Sequence, residues 1–384
     1  MFNASSVFFS NFLNSINSFN SYTLIIQIII GILLYSLTIW TIIGNIFVVI
    51  AIFTNKQLKQ GGMSNFLIGN LAISDLLLGL TVLPFSATYS TFNIWPFGKI
   101  LCDVWLSIDV LCCTASIWGL LVISLDRYIA TNHPIRYRKQ KNSIKIAIIY
   151  CTVSWVISII ISLGPLSFSK DTGDAEDFNY LESEPKPPEK THAYKRIENT
   201  TDYECVLFHS PSFVILSSLG SFFLPLIIMF ILYAGVFLKI KQQSKLFNNR
   251  ANRSVEQPKS NQEQNLLSKK EPVAKQNSDN LNKKNGNNQP ANNEARVTKT
   301  LVIIMGAFVA CWLPFFIIYI IRSQLSNTHA IPAYVMDFFI WLGYFNSSLN
   351  PILYAILNSN FRIAFQDILA CRCFGRSFNI SSRP

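Results

Sequence analysis

The sequence predicts an all-α membrane protein: a bundle of seven transmembrane helices followed by a short amphipathic eighth. Half of the 384 residues are hydrophobic and only 14% are charged, with a mean hydropathy of +0.32. The apolar residues gather into seven blocks, each long enough to supply the about 20 residues that cross a hydrocarbon core of roughly 30 Å. Backbone groups in lipid must be satisfied internally, so each block is a helix, and the helices bundle to hide their polar residues.

The seven blocks are Leu24–Phe53, Ser64–Phe85, Trp105–Thr131, Ile144–Leu163, Ser212–Ile240, Val297–Ile321 and Val335–Leu357. Basic residues orient them. Residues 1–23 carry no charge, whereas Lys56 and Lys59 follow the first span at once. Arg136, Arg138, Lys139 and Lys141 follow the third, Lys239, Lys241 and Lys245 close the fifth, and Arg362, Arg372 and Arg376 lie beyond the seventh. This places the tail 1–23 outside, the helical domain 24–357 in the plasma membrane and the segment 358–384 in the cytosol. The formal charge of +11 then reads as a cytoplasmic surface facing membrane lipid, not as a nucleic-acid footprint. No charged leader with a cleavage site precedes the first span, which therefore serves as its own targeting signal.

The eight cysteines divide by location. Cys112, Cys113, Cys151 and Cys311 lie within spans as apolar thiols. Cys102 and Cys205 are both on the outer side and can oxidise to a disulfide. Cys371 and Cys373 follow an amphipathic segment in a basic stretch, a palmitoylation site or a pair of free thiols. Asn3 and Asn199 head outer glycosylation sequons. The outer loop 167–204 is acid-rich, and its charge either concentrates cations at the mouth or is merely solvated. The inner loop 241–293 is so rich in Asn, Gln, Lys and Ser that disorder is expected.

Polar residues inside the spans carry the functional signal. Asp109 interrupts "LSIDVLCCTAS", and a mid-membrane charge costs roughly 2.5–3.5 kcal/mol on insertion scales. The spans hold no interior Lys or Arg, so its natural partner is a protonated amine from outside; the alternative is a protonated or hydrated acid. Cys113 and Ser116 share its helix face. Arg127 lies about 27 Å further along the same helix at 1.5 Å per residue. Ser217, Ser218 and Ser221 in span five are either back-bonded to the preceding turn or available to ligand hydroxyls. Trp312, Phe315 and Phe316 around Pro314, with Trp341 and Tyr344, form either core or a cation–π enclosure opposite the acid. Asn45, Asp75, Ser116, Asn346, Ser347 and Asn350 form a deeper set, suited to a small hard cation or to helix packing alone. The four histidines lie in loops or at span ends with no catalytic spacing, which argues against an enzyme. An amine transporter is the rival class, but the internal repeats and paired broken helices of transporters are absent from the sequence.

"GNIFVV", "NLAISD", "LDRYIA", the lone Trp155, "CWLPF" and "NPILY" occur in order, one per span. Together they resemble the rhodopsin-like class of G-protein-coupled receptors. Asp109 with Trp341 and Tyr344 resembles the biogenic-amine branch. "DVLCCTAS", "WPFG" and "SSLGSFFLPL" are similar to alpha-type adrenergic receptors and invertebrate octopamine receptors; dopamine, tyramine and serotonin receptors are the alternatives within the branch. The resemblance implies that Asp109 takes the ammonium and Ser217 and Ser221 the ring hydroxyls. Val110, Cys113, Ser218, Phe315, Phe316, Tyr319, Trp341 and Tyr344 would complete the ligand site, with Trp312 and Phe308 as a packing switch beneath it. Asp75, Ser116, Asn346 and Asn350 resemble a sodium-binding set, and no other cofactor is implied. Arg127 would pair with Asp126 and Glu294 at rest, while Tyr128, Tyr233 and Tyr354 serve the inner, G-protein-facing surface. Arrestin and a receptor kinase follow as partners by family analogy.

Overall fold

The computed structural model describes residues 21–140, 144–163, 194–196, 203–205, 211–255, 289–325 and 331–370. The first span is α1 (Ser21–Thr54). The second comes in two pieces, α2a (Met63–Thr81) and α2b (Leu83–Phe92). Then follow α3 (Gly98–Asn132), α4 (Ile144–Ser162) and α5, which runs as α5a (Pro211–Ser218), a π-helical turn (Leu219–Phe223) and α5b (Leu224–Val255). The last are α6 (Gln289–Gln324), α7 (Ala333–Leu357) and α8 (Ser359–Leu369). Short helices at Lys56–Lys59 and Pro134–Gln140 turn the chain after α1 and α3.

The packing is that of a bundle in lipid. Large apolar side chains such as Ile32, Leu33, Phe53, Leu216 and Ile231 lie on the outside, while Asn45, Ser74, Asp75 and Asn350 are enclosed. Six of the helices, α1 to α6, are long and apolar enough to cross a membrane. α7 is less apolar because Asn346, Ser347, Ser348 and Asn350 all turn inward. Pro351 in α7 has no N–H, which frees the Ser347 carbonyl. Asn45 of α1 donates to that carbonyl at 3.2 Å and Trp40 donates to the next, Ser348, at 3.2 Å.

Two expectations change, and the outer loop adds a hairpin. Span two does not end at Phe85: Pro84 has no N–H to give the Leu80 carbonyl, and the helix breaks at Val82 and resumes to Phe92, where Asn93 caps it with a φ of 54°. The inner loop 241–293 is not irregular throughout, because α5b reaches Val255 and α6 starts at Gln289. Extending an existing helix avoids the nucleation cost, so polar sequence joined to a span continues as helix. Within the outer loop 167–204, β1 (Tyr194–Arg196) pairs antiparallel with β2 (Tyr203–Cys205). The Cys102–Cys205 disulfide, with Cα atoms 5.8 Å apart, ties β2 to α3, and the Trp95 N–H donates to the Tyr203 carbonyl at 2.6 Å. Asn3, Asn199, Cys371 and Cys373 lie outside the described residues. α8 forms as expected: Asn358 caps it, accepting from the Asn360 N–H at 3.0 Å, and Phe361 and Ala364 are buried.

Candidate functional site

Asp109 stands two turns inward from the disulfide on α3 and is half-buried. Tyr344 of α7 donates its phenolic O–H to one carboxylate oxygen at 3.0 Å, and the Cys113 thiol reaches the other at 3.4 Å. No ion pair to Asp109 forms among the described residues. Its oxygens thus keep unused lone pairs. Tyr344, expected as a wall, is a hydrogen-bond donor that aims the acid.

Aromatic rings gather around Tyr344, the donor to this carboxylate. Trp341 meets Tyr344 edge-on at 5.5 Å and is fixed by its indole N–H donating to the Ser90 hydroxyl at 3.0 Å. Trp312 lies edge-on to Tyr344 at 6.3 Å, and Phe315 and Phe316 sit 5.9 and 6.0 Å from Trp312. Tyr319 stacks on Phe315 at 5.4 Å. Such faces attract a cation held between them. Phe222 of α5, which local spacing does not single out, stacks on Phe316 at 4.3 Å and lies 5.9 Å from Phe308. Val110 is half-buried on the next position of α3.

The three serines of α5 differ from one another. Ser217 donates to the Val214 carbonyl at 3.2 Å and Ser221 to the Ser217 carbonyl at 2.7 Å. Both remain free to accept. Ser218 is fully buried, and its hydroxyl has no partner.

Deeper in the bundle Asp75 is fully enclosed. It accepts from Ser116 at 3.1 Å, Ser347 at 2.8 Å and the Asn350 amide at 2.7 Å, and Ser74 bonds Ser116 at 3.0 Å. The α7 contacts come from Ser347 and Asn350; Asn346 is buried but supplies no bond to Asp75. The side-chain oxygens of Asn45 and Asn350 are buried without a donor. A donor set of carboxylate, hydroxyl and amide oxygens suits a hard cation.

At the far end of α3, Arg127 pairs with the buried Asp126. Two further groups close a ring that the sequence did not reveal. Arg127 donates to the Tyr137 oxygen at 3.2 Å, Tyr137 bonds Ser64 at 3.1 Å and Ser64 donates to Asp126 at 2.8 Å. Burial holds the Tyr137 phenol above its ordinary pKa, so it keeps its proton. Glu294 lies along the backbone of α6, but its side chain is outside the described residues. Tyr233 lies beside Ser124 and Arg127. Tyr354 stacks on Phe361 of α8 at 5.4 Å. Tyr128 packs so close to Gly235 of α5 that a Cβ there would stand 2.6 Å from its ring.

A seven-helix bundle with a caged acid at one end and an Arg–Asp pair at the other defines a class, and comparison with known proteins agrees. Residues 44–354 match the 7 transmembrane receptor (rhodopsin family), and the chain belongs to that family, one of receptors rather than enzymes. It is 34% identical to the alpha-1A adrenergic receptor of Mus musculus over 358 residues, covering 91% of this chain and 69% of the relative. The human alpha-1A adrenergic receptor is 33% identical over 356 residues, with coverage of 91% and 69%. A probable G-protein coupled receptor, No18, from Amphibalanus amphitrite is 35% identical over 363 residues, with coverage of 88% and 89%. The chain is thus a multi-pass membrane receptor of the biogenic-amine-like kind.

Proposed function

We propose that this receptor binds a phenolic or catechol amine, of the octopamine or noradrenaline type, and passes the signal to a heterotrimeric G protein. The observation that carries the reading is Asp109: a carboxylate with no cation on it among the described residues, aimed by Tyr344, whose ring packs against Trp341 and Trp312. The adrenergic names of two relatives support the amine class. The basic residues beyond spans one, three, five and seven support an N-terminus outside and a G-protein-facing surface inside. Arrestin and a receptor kinase would share that surface. Amine-dependent nucleotide exchange on G proteins in isolated membranes, over a panel including octopamine, noradrenaline, dopamine, tyramine and serotonin, tests the reading. Accumulation of labelled amine without exchange would make the protein a transporter instead.

The ring end of the ligand has its own test. Ser217 and Ser221 still offer acceptor lone pairs, and a neutral hydrogen bond contributes about 0.5–1.5 kcal/mol, roughly two- to twelve-fold in affinity. Ser217→Ala and Ser221→Ala should each weaken octopamine or noradrenaline by that factor and leave phenylethylamine unchanged. Equal losses for both ligands would make the serines structural and remove the phenol-amine assignment.

Asp75, with Ser116, Ser347 and Asn350, is the set we assign to a sodium ion that favours the resting state. At the inner end we assign restraint to Arg127 through two routes, Glu294 and the Tyr137–Ser64 bridge. Tyr137→Phe and Glu294→Ala should each raise ligand-free nucleotide exchange at matched surface expression. Wild-type basal exchange in Tyr137→Phe would reduce the bridge to a loop anchor.

A further inference from the structure

Among the described residues two serines, Ser154 of α4 and Ser218 of α5, are buried with hydroxyls that no group bonds, and only Ser218 adjoins the π turn. Ser218 is 1% exposed, its hydroxyl oxygen is shut off from solvent, and no group bonds it. A helical serine usually relieves itself on the carbonyl three or four residues back. For Ser218 the latter is the Val214 carbonyl, and Ser217 already donates to it at 3.2 Å. Immediately after Ser218 the helix widens into the π turn, in which the Leu224 N–H bonds the Leu219 carbonyl. α5a packs on α6, and Ser218 shares a helix face with the residue one turn on. That residue, Phe222, stacks on Phe316 of α6 at 4.3 Å with an interplanar angle of 13°. The oxygen is therefore shut off from water beside an apolar seam, and among the described residues no group bonds it.

We propose that Ser218 is a built-in destabiliser of the closed α5–α6 seam. Its stranded hydroxyl raises the free energy of the ligand-free arrangement and favours states in which α6 shifts against α5 and the oxygen finds water or a carbonyl. A ligand can bias a two-state bundle only by what it adds to the intrinsic balance, and Ser218 sets part of that balance. The proposal rests on the receptor class and not on which amine fits, because neither test below uses a ligand.

The test compares the full-length receptor with its Ser218→Ala and Ser217→Ala variants. Ligand-free nucleotide exchange is read in membranes with G protein in excess, and the melting temperature is read after purification. Relieving one stranded hydroxyl should shift the ratio of signalling to resting receptor by about fivefold or more. We expect Ser218→Ala to lower basal exchange by that factor and to raise the melting temperature. Ser217→Ala, which removes a satisfied hydroxyl, should not raise it. Basal exchange unchanged or increased in Ser218→Ala overturns the proposal. So does a melting temperature that fails to rise, or one that rises equally in Ser217→Ala, since the gain would then be helix propensity alone.

Discussion

Asp109→Asn should abolish the amine response while the receptor still reaches the cell surface. The substitution keeps shape and removes charge, and Tyr344 can still donate to the amide oxygen, so the cage survives. What is lost is the partner of the ammonium. Breaking one side of a buried charge pair costs about 2–5 kcal/mol, roughly 30- to several-thousand-fold in affinity. Radioligand competition with a primary amine, at expression matched by surface labelling, reads this directly. Unchanged amine affinity would sink the assignment of Asp109 and with it the ligand class. The expected loss is far larger than that for Ser217→Ala or Ser221→Ala. On the proposed reading the charge would supply most of the affinity and the ring hydroxyls would select among amines.

Asp109 was legible in the sequence because a lone acid in an apolar run is costly wherever the helices pack. The same logic exposed Asp75 and Arg127. What the sequence did not reveal are contacts between spans, because local spacing fixes the face of one helix and not its neighbour. Tyr344 could be read as an aromatic wall, but its role as a donor to Asp109 depends on how α7 meets α3. Ser347 rather than Asn346 reaches Asp75 for the same reason: both are polar and adjacent, and only the rotation of α7 about its axis decides between them. Tyr137 and Ser64 lie at the edges of spans, where nothing marks them as partners of an Arg–Asp pair. Two backbone features did leave a trace. Pro84 announces the break in α2. Pro225, lacking an N–H, frees the Ser221 carbonyl beside the π turn, as interruptions of the hydrogen-bond ladder do. Helix ends were the least visible, since polar sequence beyond the membrane reads alike whether it continues a helix or leaves it.

Gly343 shows how far such contacts escape a linear reading, and it supplies the second large effect. A glycine inside a span attracts no notice, yet here it lies against the face of Trp312. A Cβ at this position would stand 2.7, 2.8 and 2.9 Å from three carbons of the Trp312 ring, closer than real Cβ atoms come. The indole cannot simply bend away, because it is rigid and lies among Phe315, Phe316 and Tyr344 at 5.9, 6.0 and 6.3 Å. Tyr344 in turn holds Asp109, so one methyl group at Gly343 disturbs the packing beneath Asp109 through Trp312 and Tyr344. Overpacking of this kind costs about 1–3 kcal/mol, roughly 5- to 150-fold in a conformational equilibrium. Gly343→Ala should lower the melting temperature of the ligand-free receptor and change its basal exchange, because the arrangement it disfavours is the one that seats Trp312. Gly306 of α6 is the control: no heavy atom lies within 4 Å of a Cβ built there. Gly306→Ala should therefore be neutral or stabilising, by up to about 1 kcal/mol of helix propensity. If the two alanine variants melt and signal alike, the indole has room to yield, and Gly343 does not set its position.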